Sequence, residues 1–402
     1  MSAGPFGSTS VRRLLALALA VAILAGPTTA EAQALKKNRR WLFAVGAALA
    51  VGVPAYSFNE GNTINSVCTS RQCVGIVAGI MGGAVGYLIG WELDSRYSRR
   101  MAAGPSLEYE FQNVPLGLVP DRMAGFAGGA AVIGLGGARV VLRDGTVLSR
   151  GSGVRGIEDS AVLPDLDLLV LSTFSNLIGF PLEDDSAQGQ VVDEHGGSTL
   201  EVIDNHLAVA GADSLRLLQV QRQDEDISLA RISAFEQTDF VTDITFSDFG
   251  RVGWVLAADR LCSFTPSLEK LGEVALPAAG RSVRAAGRRL AVAAGTRGVF
   301  LLDATDPRAP RVVSEYTGVR FAYAADLAGD LLYVAAGPEG MAVVDVSGSE
   351  PRVVGVAREV RFVTDVVVDG SGAVWILDRD GQRLQIAELN VERVAGATDP
   401  AR

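Results

Sequence analysis

Two regimes of apolar patterning divide the chain. Up to residue 104 the apolar residues form long runs: Leu14 to Leu24, Trp41 to Ser57 and Val74 to Trp91. From Pro105 onward they form runs of four to six residues, rich in Val, Leu and Ala and bounded by Gly, Asp and Pro. Short apolar runs between turn residues predict strand–turn–strand units. No stretch of this second part holds a 3.6-residue period or a helix cap, so helical repeats are disfavoured. The change falls at Gly104-Pro105, a helix-ending pair.

The second part repeats. Leu290-Ala-Val-Ala-Ala-Gly295 is echoed 42 residues later by Leu332-Tyr-Val-Ala-Ala-Gly337. A further Gly follows each, Gly298 and Gly340, and then Val299-Phe-Leu-Leu-Asp303 and Met341-Ala-Val-Val-Asp345. A second echo pairs Phe240-Val-Thr-Asp-Ile-Thr-Phe246 with Phe362-Val-Thr-Asp-Val-Val-Val368. Weaker copies of the first run begin near Ala131, Leu168, Leu207, Val252 and Ala373, which makes seven. A 40–45-residue period built of strands is the pattern of an all-β β-propeller, one four-stranded blade per repeat. Seven such repeats fill the 298 residues from Pro105 to Arg402 better than six or eight. The closing blade is expected to mix both chain ends, with Leu107-Glu-Tyr-Glu-Phe111 beside Leu384–Leu389. Residues 332–346 resemble an LVIVD repeat, residues 290–315 are similar, and residues 363–378 resemble an NHL-type blade. The resemblance implies a propeller, commonly in exported or surface proteins. It implies no reaction, no catalytic residue and no cofactor.

The first part reads as an export signal followed by a membrane-seeking hairpin. Arg12 and Arg13, the apolar core and the small-residue exits Ala30-Glu31-Ala32 and Ala32-Gln33-Ala34 follow the order of a cleavable secretory signal, residues 1–34. The core is shorter than the ~20 residues that span a bilayer, which favours cleavage over an uncleaved anchor. Residues 35–104 hold the two longer apolar runs, predicted as a helical transmembrane hairpin. In the later run Gly75, Gly79 and Gly83 recur every four residues, as do Gly82, Gly86 and Gly90. That spacing lies along one helix face, where Gly lets backbones touch. It resembles the glycine-zipper hairpins of bacterial envelope proteins, and self-association through this helix stands beside a plain membrane hairpin. Cys68 and Cys73 lie between the runs. Their spacing permits a small disulfide; free thiols are the other state, and a metal would need ligands from elsewhere because no His is near. Basic clusters flank both runs, Lys36–Arg40 and Arg96–Arg100. In an inner membrane they would place residues 105–402 in the cytoplasm. An outer-membrane hairpin seen from the periplasm reconciles them with export.

Composition sharpens this division. The 402 residues are 48% hydrophobic and 20% charged, with 46 acids against 36 bases. Residues 1–104 hold ten bases and four acids, and the remainder 26 bases and 42 acids. So acidic a second part excludes a general nucleic-acid binder.

Candidate chemistry is sparse. The two histidines, His195 and His206, fall in turn-like contexts, and no G-x-S-x-G elbow, Walker loop or H-E-x-x-H occurs. Gly151-Ser-Gly-Val-Arg-Gly156 matches G-x-G-x-x-G, but no helix is expected after it. Glu183-Asp184-Asp185 and Asp224-Glu225-Asp226 read as solvated loops. Asp378-Arg-Asp-Gly381 reads as a hairpin turn, Asp303 and Asp345 as turn-stabilising, and Cys262 as a small buried hydrophobe. Asp243 and Asp365 occupy equivalent places; if both face a central channel they could bind a cation. Two functions follow from different classes. One is a non-enzymatic envelope propeller attached to the membrane, whose loops bind other envelope proteins. The other is a metal-dependent hydrolase or lyase working in the channel.

Overall fold

The computed structural model describes residues 104–107, 109–182, 188–211, 214–223, 226–236, 240–247 and 251–388. The expected signal and hairpin, Cys68 and Cys73, and the six glycines from Gly75 to Gly90 lie outside these residues. So do Glu183-Asp184-Asp185 and Asp224-Glu225. Among the described residues no helix is long and apolar enough to cross a membrane.

Residues 104–388 form seven four-stranded antiparallel sheets. Six are sequential blades: 119–150, 157–193, 199–236, 241–275, 282–316 and 324–357, numbered blades 1 to 6. Blade 7 joins three C-terminal strands, Val363–Val368, Ala373–Asp378 and Arg383–Glu388, to the N-terminal strand Glu110–Pro115 on their outer side. The first strand of each blade is innermost and packs against the first strands of the blades on either side, closing a ring. The seven-bladed β-propeller expected from the 42-residue period is therefore the observed fold. The seven apolar runs are the second strands, with starts from Gly129 to Ala373.

Each blade interface holds its own apolar cluster, because a single sheet cannot bury both faces. Ala131, Ile133 and Val140 of blade 1 meet Leu169, Leu171 and Phe180 of blade 2. Val299 and Leu301 of blade 5 meet Leu332, Val334 and Val344 of blade 6. Trp375 of blade 7, only 1% exposed, packs with Val114 and Met123 across the closing seam. Burial of each Val, Leu, Ile, Phe or Met among them contributes roughly 1.5–3 kcal/mol.

The twin glycines of the repeat have a steric cause. Gly298 and Gly340 sit at φ +79° and +96° in the turn between second and third strands. A Cβ there would overlap the carbonyl oxygen of Tyr316 or Ala357. Only glycine fits both the left-handed backbone and the contact.

The closure differs from the expected register. The pairing strand is Glu110–Pro115, opposite Arg383–Glu388, rather than residues 107–111. Leu107 instead packs on blade 6, where its amide donates to Val356 O. There it covers Gly355, whose missing side chain makes the room. An apolar side chain beside a bare backbone position pulls the segment onto the neighbouring blade.

Candidate functional site: the central channel

The inner strands run from an upper end, where the chain enters each blade, to a lower end. Six of them carry an ionisable third residue: Asp159, Glu201, Asp243, Arg284, Asp326 and Asp365. In blade 1 the fourth residue, Arg122, stands at this level because the strand begins one residue earlier, at Val119; the bulge before Arg122 is the one that also precedes Asp159, Asp243 and Asp365. Five carboxyl groups and two guanidinium groups thus surround the axis. They line a cavity of about 650 Å³.

The four aspartates have the same structural role. Each Oδ1 accepts the amide of the following residue, Ser160, Ile244, Leu327 or Val366, at 2.8–3.0 Å. Each Oδ2 accepts an amide of the next blade. Leu200 N donates to Asp159 at 2.9 Å, Val283 N to Asp243 at 2.9 Å, Val368 N to Asp326 at 2.8 Å and Met123 N to Asp365 at 2.9 Å. Four of the seven blade junctions are therefore joined at the axis by a carboxylate. Asp243 also takes the Arg284 guanidinium at 2.9 Å, and Arg122 lies 3.7 Å from Asp159.

Burial dominates the electrostatics. It pushes the Asp365 carboxyl up to about 6, against the lowering pull of Arg284, the Met123 amide and Arg122. It raises Asp159 too, opposed by Arg122 and the Leu200 amide. For Arg284, burial alone would lower the guanidinium, but Asp243, Asp365, Glu201 and Asp326 outweigh it and raise it. Glu201 departs from the pattern. Among the described residues its carboxyl has no hydrogen-bond partner, and it remains partly exposed to the channel. Burial pushes it up to about 8; Arg284 opposes this, while Asp243, Asp159 and Asp326 add to it.

The upper mouth is aromatic and cationic. Phe321, Tyr323 and Phe362 form a chain of ring contacts at centroid distances of 4.5 and 5.2 Å. Arg281 lies 5.3 Å from the Phe321 centroid and 5.9 Å from that of Tyr323, and Arg379 lies 4.2 Å from that of Phe362. Phe126, Phe246 and Asp369 line the lower mouth.

Asp243 and Asp365 do face the channel, as the repeat suggested, but their oxygens are occupied by backbone amides. Among the described residues no group of three or more His, Cys, Asp and Glu is placed to hold a metal ion. The other candidates lie elsewhere. His195 is at the upper end between blades 2 and 3, its Nδ1 3.1 Å from Asp193. Burial alone would raise Asp193, but hydrogen bonds from His195 and the Arg216 charge hold it below the usual carboxylate range. His206 begins a strand opposite Ile203. Gly151–Gly156 leads into a strand, not a helix. Asp303 and Asp345 brace turns by accepting the amides of Thr305 and Ser347. Asp378, fully buried in its hairpin turn, accepts the Phe362 and Gly381 amides. Cys262 is only half-buried, a correction to its reading as a core residue, because its thiol turns toward Glu273 Oε2 at 3.7 Å.

No family model and no curated protein matches the sequence. Solved structures do. The chain is similar to the WD40 β-propeller domain of Doa1, with 12% identity and a TM-score of 0.53 over 71% of this chain and 99% of that one. It is similar to the Cps50 (Swd1) β-propeller domain of Myceliophthora thermophila, with 11% identity and a TM-score of 0.53 over 69% and 99%. The extracellular domain of the putative one-component system BT4673 from B. thetaiotaomicron aligns with a TM-score of 0.51 and 12% identity, over 73% of this chain and 42% of that one. At such identities the likeness is one of fold alone. The LVIVD-like and NHL-like segments are thus blades of a propeller whose sequence matches no family.

Proposed function

We propose that the protein is a non-enzymatic interaction module of the bacterial cell envelope, exported and attached to a membrane through residues 35–104. One observation carries the interaction reading. Leu135 (79% exposed), Phe174 (83%) and Phe240 (59%) all lie at the upper end, on blades 1, 2 and 4. Leu135 ends the second strand of blade 1, Phe174 follows the second strand of blade 2 in its turn, and Phe240 leads into the inner strand of blade 4. Large apolar groups exposed at one end of a propeller mark a surface suited to a protein partner. The channel supports the same reading, since four of its five carboxyl groups are engaged in joining blades. Export and attachment rest on the signal-like and hairpin-like sequence.

In-cell crosslinking of the tagged full-length chain tests this reading. A specific partner band is expected for the native protein and lost in L135S/F174S/F240S, with the melting temperature unchanged. An unaltered crosslinking pattern in that variant would overturn the assignment. Stoichiometric divalent metal in the purified protein would instead favour the hydrolase or lyase reading.

A further inference from the structure

The channel holds two complementary charges that the fold does not use. Glu201 is the one carboxyl of the ring that joins no blades. Its position is equivalent to those of Asp159, Asp243, Asp326 and Asp365, but the longer side chain bonds to no described residue. Arg281 is the counterpart at the upper mouth. Its guanidinium rests on Phe321 and Tyr323 and, among the described residues, meets no carboxylate. Both line the same cavity of about 650 Å³.

We propose that the channel binds an extended zwitterion, with an ammonium group on Glu201 and a carboxylate on Arg281. The two charges stand at different depths. Arg281 precedes the ring-level residue Arg284 by three positions, roughly 10 Å at ~3.3 Å per strand residue. An α-amino acid backbone alone is too short for that separation, whereas an ω-amino acid or a lysine-bearing peptide end spans it. The Tyr323 ring, level with Arg281 on the next blade, gives the ligand's methylene chain an apolar wall at the carboxylate end. No cation bonds the Glu201 carboxyl: Arg284, the positive charge that acts on it most, is held by Asp243, and Asp243, Asp159 and Asp326 add negative charge. An isolated carboxyl in such surroundings holds its proton until a positive charge arrives. An ammonium ion from the ligand supplies that charge, and the proton leaves to solvent.

Calorimetric titration of the detergent-purified full-length protein with three matched probes tests the proposal. 6-Aminohexanoate carries both charges, hexylamine only the cation and hexanoate only the anion. Binding of 6-aminohexanoate at least tenfold tighter than of either single-charge probe is expected. E201Q and R281Q should each weaken it tenfold or more, and R281K should retain part of the affinity. No binding of 6-aminohexanoate, equal binding of hexylamine, or unchanged affinity in E201Q would each overturn the proposal. The probe comparison needs no variant, so it stands even where a substitution perturbs folding. It is also independent of the apolar upper surface, whose triple variant leaves the channel intact.

Discussion

A single methylene separates the two kinds of acid in the ring. Aspartate reaches its own strand's next amide and the adjacent blade together, so its burial is compensated by two hydrogen bonds to backbone donors. Glutamate at the same level projects past those amides into the channel. Its folded carboxyl titrates near 8 against a reference of 4.5. Between these values the unfolded chain releases a proton that the folded chain keeps, so this group lowers stability as pH rises through that window. Below about pH 4.5 and above about pH 8 it contributes no slope. Glu201→Gln should therefore match the native protein in stability near the lower limit. Above the upper one it should exceed it by roughly 1–2 kcal/mol, a value reduced by screening from channel water. Urea unfolding across this range checks it, and parallel stability curves for the two proteins would refute it.

Strands and turns were the most legible elements, because their causes are local. Leu290–Gly295 and Leu332–Gly337 announce second strands through apolar runs, and Gly298 and Gly340 announce turns that no side chain can enter. The ring was far less legible. One position carries Asp, Glu or Arg in different blades, so identity does not repeat there, and only Asp243 and Asp365 share a matching neighbourhood. The clue that remains is spacing: Asp159, Glu201, Asp243, Arg284 and Asp326 follow one another at 41 or 42 residues. The closure was legible in kind but not in register, since Leu107 answers to a gap at Gly355 on another blade. Residues 104–115 therefore hold two seams, with Leu107 on blade 6 and Val114, 3% exposed, in blade 7. A chain beginning at 116 should melt more than ~10 °C below one beginning at 104, because it loses both contacts and a full strand ladder. Differential scanning calorimetry on the pair decides, and an equal melt would mean that the first strand is dispensable.

At the scale of the whole molecule, charge and apolar content divide at the same place. Residues 105–402 carry 42 acids against 26 bases, so this domain has no general attraction to anionic lipid. The segment before it is cationic and holds the long apolar runs. If attachment follows that division, it depends on residues 35–104 alone. Deleting them while keeping residues 1–34 should move the protein wholly from the membrane pellet to the soluble fraction, with the propeller still folded by circular dichroism. High-salt washing of the intact protein should leave it in the pellet, since insertion of apolar helices is not screened by ions whereas surface attraction is. Retention of the deleted form on membranes would place a lipid- or receptor-binding surface on the propeller itself. Its salt sensitivity would then separate an electrostatic contact from an apolar one at Leu135, Phe174 and Phe240.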